Sequence, residues 1–171
     1  AKLYEFAPVG EMQKRGWIEK SSNFDVVEHQ VLALFGDDAI AAAARKTTDG
    51  DWTPPQRAWL MRAKQLAKTI QVTGRFTAKT LQTALHALSL LKADVEEIRK
   101  IPRVLSDAGI RFLIVAPLAQ SKIDGACFWL SDNEPVVALS FRYDRVDWFW
   151  HTLLHELAHV KHGDGKTVAT L

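Results

Sequence analysis

His155, Glu156 and His159, within the stretch HTLLHELAHVKHGDG, form the pattern His-Glu-x-x-His. On an α-helix, residues four apart share one face, so these two imidazoles can aim ring nitrogens at a single ion. Zinc accepts neutral imidazole readily and, in catalytic sites, keeps one coordination position open for water. Glu156 falls about 100° around the helix from His155, near the ion but offset from it. A carboxylate there takes a proton from water activated by the metal instead of ligating it. The pattern therefore predicts His155 and His159 as metal ligands and Glu156 as a general base.

A helix that presents such a site needs a second face for the core. Val146, Phe149, Trp150, Leu153, Leu154, Leu157 and Val160 fall on one side of the helical wheel. His151, Thr152, His155, His159 and His162 share the other, which is expected to face a cleft. A surface helix bearing histidines as polar cover is the competing reading, and the clean division into two faces favours the metal. His151 and His162 are expected in supporting or surface roles, because four histidines on one ion would leave no position for water. Asp144 is expected to cap the helix, and Asp147 to complement its dipole.

The preceding segments change period. Residues 110–118, 126–130 and 136–141 are rich in β-formers and are separated by the turn sequences SKIDG and SDNEP. They predict a small antiparallel sheet. An edge strand beside the motif helix would wall a peptide cleft, since an extended substrate can add as a strand. Trp129, Trp148 and Arg142 could line that cleft; buried aromatics and a paired surface arginine are the competing reading.

The N-terminal part reads as helical. A short helix over 8–15 ends at Gly16, and a capping box from Ser22 to Asp25 opens a second, with Val26, Val27, Val31, Leu32 and Phe35 inward up to Gly36. DDAIAAAAR continues with helix formers and KTTDGD reads as a turn, placing a junction near 46–53. Thr53 and Pro54 open a helix to about Ile70, with Trp59, Leu60, Ala63, Leu66, Ala67 and Ile70 inward. Thr77 caps another over 78–91, with Leu81, Ala84, Leu85, Leu88 and Leu91 as its apolar side, and the two suggest a helical hairpin. Residues 94–107 extend the helical part, with a restart at Pro102 and a stop at Gly109. The expected organisation is a helical connector over 1–50, a hairpin region over 51–104 and a domain with sheet and motif helix over 105–171. Arg57, Arg62, Lys64, Lys68, Arg75 and Lys79 read as a solvated face, since no nucleic-acid motif accompanies them.

With 171 residues, 47% of them hydrophobic, the chain is long enough to bury a core. A net charge of +2 neither demands nor excludes a nucleic-acid partner. No apolar run is long enough to span a membrane. Cys127 is the sole cysteine, which rules out an internal disulfide and fits a reducing cytoplasm; it is expected as a small buried residue in a strand. Residues 1–10 lack the pattern of a secretory signal.

The order AGIRFLIVAPL, KIDGACFWL, EPVVALSFR and DRVDWFWHTLLHELAHVKHG resembles the ImmA/IrrE family of metallopeptidases, small cytoplasmic zincins of bacteria and phages, over roughly residues 105–165. The resemblance implies a minimal zincin-like α+β fold, a helical N-terminal region followed by a small antiparallel sheet packed on the active-site helix. It implies a zinc-dependent peptidase acting in the cytoplasm on a regulatory protein such as a DNA-binding repressor. His155 and His159 would hold Zn2+, and Glu156 would be the base. The third ligand in such proteins is a Glu on a following helix, expected beyond Leu171, so that the C-terminal part of the domain lies outside this chain. His162 and Asp164 are the only nearby substitutes, and both follow His159 too closely to complete an ordinary site. Residues 8–104 resemble the connector of longer relatives, where a helix-turn-helix of repressor or antitoxin type comes first; DNA contact would then run through a module upstream of Ala1. Two functions follow. One is a peptidase; the other is a transcriptional regulator or antitoxin in which the zincin-like domain is a non-proteolytic sensor or interaction module.

Overall fold

A computed structural model describes residues 7–36, 52–142, 145–167 and 169–170. The helix expected over 37–45, the turn after it and the Asp144 cap lie outside the described residues. Among those described, the chain is α+β and divides into two compact units, residues 1–65 with 117–122, and residues 66–116 with 123–171.

In the first unit, α1 (Val9–Lys14) stops just before Gly16, as the turn signal predicts. Helix α2 (Phe24–Phe35) is capped by Asn23, whose side chain accepts the Asp25 N–H at 2.9 Å, and not by Ser22. Asparagine caps as well as serine, and its position one residue later sets the start of the helix. Val27, Val31, Leu34 and Phe35 form its buried side, while Val26 and Leu32, expected inward, are exposed. Helix α3 (Pro54–Ala67) buries Ala58, Trp59, Leu60 and Ala63. The Glu11 carboxylate accepts the Ala119 N–H, tying the 117–122 segment to α1.

The second unit holds the motif. Helix α4 (Ala78–Leu91) opens on a capping box in which Thr77 and Thr80 satisfy each other's backbone N–H groups. A 3-10 helix, Val95–Lys100, leads into α5 (Ile101–Asp107), where Pro102 sits in the first turn and its missing N–H costs nothing. Strands β1 (Arg111–Ile114), β2 (Gly125–Trp129) and β3 (Pro135–Leu139) precede α6 (Val146–His162). Leu81, Ala84 and Leu88 of α4 and Ile101 and Leu105 of α5 share one core with Phe149, Trp150, Leu153, Leu157 and Val160 of α6. Each of the larger aliphatic and phenyl side chains contributes about 1.5–3 kcal/mol on burial, so this core fixes how α6 is held.

The sheet is mixed, where an antiparallel one was expected. Its order is β1-β3-β2, with β1 parallel and β2 antiparallel to β3. The short turn between β2 and β3 makes them a hairpin, but the chain from Ile114 to Gly125 is long enough to carry β2 past its neighbour's place. That leaves the centre to PVVAL, which is buried at every position, as a strand covered on both sides must be. Helix α6 packs on β2 and β3.

Helix α6 begins after Arg145, which forms an ion pair with Asp147 in the first turn. It ends at Gly163 in the left-handed conformation, φ 75° and ψ 17°. Gly163 N–H bonds to Val160 O at 3.2 Å and Asp164 N–H to His159 O at 3.0 Å, a Schellman motif. The chain then turns back, and Thr170 exchanges two backbone hydrogen bonds with Cys127 on the outer edge of β2. Among the described residues no helix is long and apolar enough to cross a membrane.

Candidate metal centre

His155 and His159 stand one turn apart on α6, and the helix brings their Nε2 atoms to 3.2 Å, with the rings at 89°. Two nitrogens on one tetrahedral zinc, each at about 2.0–2.1 Å, stand roughly 3.3 Å apart. The pair therefore has the separation that a single ion would bridge.

Behind His159, its Nδ1 lies 2.9 Å from Asp164 Oδ2. An ionised carboxylate only accepts, so His159 donates Nδ1–H and keeps the Nε2 lone pair for His155 or for an ion. Asp164, near enough in sequence to be a substitute ligand, is thus engaged with the far side of the ring. Its main-chain oxygen accepts the Trp129 indole N–H at 2.7 Å.

Glu156 is 2% exposed and turns toward β2. Its carboxyl lies over Gly125: a Cβ built there would stand 2.9 Å from Oε1 and 2.9 Å from Thr152 Cγ2. Oε2 is buried with no hydrogen-bond partner among the described residues. Burial pushes the carboxyl up to about 8, so without a neighbouring cation it holds its proton at neutral pH.

The two-faced wheel needs adjustment at three positions. Thr152, expected toward the cleft, is buried and donates to Trp148 O at 3.0 Å; Glu156 lies on that same buried line. Val146, expected in the core, is 40% exposed. The line through Thr152 and Glu156 meets the edge of β2, and a glycine at 125 leaves room for it there. His151 is exposed and stacks between Trp148, 5.5 Å away, and His155, 6.3 Å away. His162 is exposed in the last turn.

Arg142 pairs with Asp124 at 3.6 Å. Both line a small depression with Phe141, Trp148, Phe149 and Thr152. Phe141 adopts φ 53°, a left-handed conformation rare for an aromatic residue, and its ring lies 5.5 Å from Phe149. Trp129 serves the chain after α6 instead: besides bonding Asp164, its ring carries the Lys166 ammonium at 4.6 Å. Cys127 is fully buried in β2, and its thiol is pushed up to about 12 by burial, with the Glu156 and Asp164 charges adding to the effect. It is packing, not a nucleophile. A roomier hollow of about 670 Å³ belongs to the first unit, lined by Gln13, Trp17, Glu19, Lys20, Gln30 and Gln65, with no histidine pair of the kind found on α6.

The donors fit an ion at two positions: both Nε2 atoms converge, and an orphaned buried carboxyl oxygen lies on the adjoining residue. Among the described residues no group of three or more His, Cys, Asp or Glu gathers to complete the set. Gly125, and Asp164 as a partner of His159, are the site residues that sequence reasoning missed. The glycine directly after the last apolar-periodic turn was the available signal for the second, because a Schellman ending folds the next residue back onto the last turn. No protein-family model, curated protein or solved structure matches the chain, so the functional reading rests on these residues and their geometry.

Proposed function

We propose that this protein is the zinc-dependent metallopeptidase domain of a cytoplasmic regulatory protein, of the ImmA/IrrE kind, which hydrolyses a peptide bond in a protein such as a repressor. The observation that carries this reading is the 3.2 Å approach of the two Nε2 atoms beside the buried, unpartnered Glu156 carboxyl. His155 and His159 would hold the ion through their Nε2 atoms. Zinc bound there supplies Lewis acidity, lowering the pKa of water and polarising a carbonyl. Two effects oppose each other on Glu156: burial raises its pKa, and the charge of a cation at the histidines lowers it. A cation at the histidines would thus favour the ionised carboxylate that a general base needs. The Glu156 carboxylate would take the proton of the attacking water and return it to the amide nitrogen that leaves.

The decisive experiment compares Glu156→Gln with His155→Ala. Glu156→Gln is expected to keep zinc and lose cleavage of the partner, and His155→Ala to lose both. Protein purified in the presence of zinc that carried none would sink the reading.

A second reading, a transcriptional regulator or antitoxin whose zincin-like domain senses or docks without proteolysis, has one observation in its favour. Thr170 of the same chain takes the backbone groups of Cys127, on the β2 edge where an extended substrate would add. Repression and DNA binding that survive both substitutions would select this reading. Loss of the response in Glu156→Gln alone would select the first.

A further inference from the structure

We infer that Asp164 is the positioning residue of the metal centre, and that Trp129 holds it in place; the inference rests on the proposed metal reading. In a Schellman ending the residue after the glycine folds back onto the residue five before it, and an apolar contact between the two commonly accompanies the motif. Here those two residues are Asp164 and His159, and the contact is a carboxylate on an imidazole at 2.9 Å.

Helix stability does not explain an acid at this place. The unsatisfied carbonyls at a helix C-terminus carry partial negative charge and disfavour a carboxylate. What the carboxylate does achieve is selection of a tautomer: with the His159 proton held on Nδ1, the lone pair is on Nε2, the atom that converges with His155 Nε2 at 3.2 Å. Metal-binding histidines commonly have such a carboxylate on their other nitrogen, where it fixes the ring and raises its basicity.

The carboxylate would be a weak guide if its backbone were loose. Asp164 N–H is bonded to His159 O at 3.0 Å, and Asp164 O accepts the Trp129 indole N–H at 2.7 Å, which binds the turn to β2. The next residue, Gly165, passes so close to β2 that a Cβ would stand 2.5 Å from Cys127 O. The Trp129 ring meets Phe76 edge-on at 5.2 Å and carries the Lys166 ammonium at 4.6 Å, so a phenylalanine at 129 removes the donor while keeping an aromatic, though smaller, ring in that place. Asp164 acts through His159, and Trp129 through Asp164.

The test is zinc affinity, by competition with a coloured chelator, for wild type, Asp164→Ala, Asp164→Asn and Trp129→Phe. Metal-free unfolding curves show whether each variant folds. Asp164→Ala is expected to weaken zinc roughly ten- to a hundred-fold, toward the lower figure because the pair is partly exposed. Asp164→Asn still accepts Nδ1–H and recovers part of the loss, and Trp129→Phe falls between it and wild type. Nitrogen NMR of the metal-free protein supplies the second readout, with His159 carrying its proton on Nδ1 in wild type and losing that preference in Asp164→Ala. Wild-type affinity together with an unchanged tautomer in Asp164→Ala overturns the inference and leaves the metal reading standing. If wild type binds no zinc, the metal reading fails, and with it the inference.

Discussion

Gly125 lies directly against Glu156: a Cβ on the glycine would stand 2.9 Å from the carboxyl Oε1 and 3.0 Å from Cγ. The first residue of β2 thereby decides where the candidate base can sit, although 31 positions separate the two in the chain.

Gly125→Ala is therefore expected to act as an overpacking substitution, destabilising the protein by about 1–3 kcal/mol because Glu156 and Thr152 must move together. On the proposed peptidase reading, the same variant should keep its zinc affinity, since His155 and His159 lie outside the clash, and lose peptide hydrolysis as the carboxyl is displaced. Urea unfolding and zinc titration on one preparation check both halves; wild-type stability and hydrolysis would refute the placement of Glu156.

The burial of Glu156 also makes metal-free stability depend on pH. The unfolded chain releases this proton near 4.5, whereas the folded protein holds it to about 8. Below the lower value both states are protonated and the native protein is at its most stable as far as this group is concerned. Between the two values only the unfolded state ionises, so stability falls as pH rises, and the loss is complete above the upper one. Glu156→Gln should flatten that slope and leave the metal-free protein on the order of a few kcal/mol more stable than wild type in mild alkali, at about 1.4 kcal/mol per pKa unit. Urea midpoints across the range, with a chelator present, measure it.

What the sequence discloses about this site follows from what periodicity can carry. The apolar line through Phe149, Leu153, Leu157 and Val160 is legible because a helix repeats on its own axis, and those residues do enter the core. The same wheel misplaces Thr152 and Val146, because it gives angles within α6 and says nothing of which angle meets β2. The β-forming runs are legible as strands, but their order is not. Pairing depends on how far the segment between β1 and β2 can travel and on which strand must be covered on both faces, and neither is a local property. The Asp164 contact depends on Gly163 taking a left-handed conformation, so it belongs to the end of the helix and to no face of it.

Cys127 supplies a check on the centre of the second unit. The thiolate is the reactive form, and a shift from the ordinary 9.0 to about 12 leaves roughly a thousand-fold less of it at neutral pH. Alkylation of the native protein should therefore be far slower than that of the urea-unfolded chain and should track global unfolding. Rapid labelling of folded protein would mean that β2 is accessible, contrary to its full burial at this residue.

Gly163 and Gly165 offer a matched comparison for the return of the chain to β2. Both take positive φ, 75° and 80°, so an alanine at either pays the same conformational cost of roughly 1 kcal/mol. Their surroundings differ. A Cβ at Gly163 meets nothing closer than Lys166 Cε at 3.9 Å, whereas at Gly165 it meets Cys127 O at 2.5 Å and Phe128 Cα at 3.2 Å. Main-chain atoms of a strand paired to β3 cannot swing aside, so the segment after α6 must yield. Gly165→Ala is expected to break the two hydrogen bonds between Cys127 and Thr170, at 3.1 and 3.0 Å, while the ladder between β2 and β3 persists. Hydrogen exchange should then show the Cys127 amide losing protection in Gly165→Ala and keeping it in Gly163→Ala, with the β3 amides protected in both. Equal loss in the two variants would assign the effect to backbone strain and remove the close approach to β2 from the account.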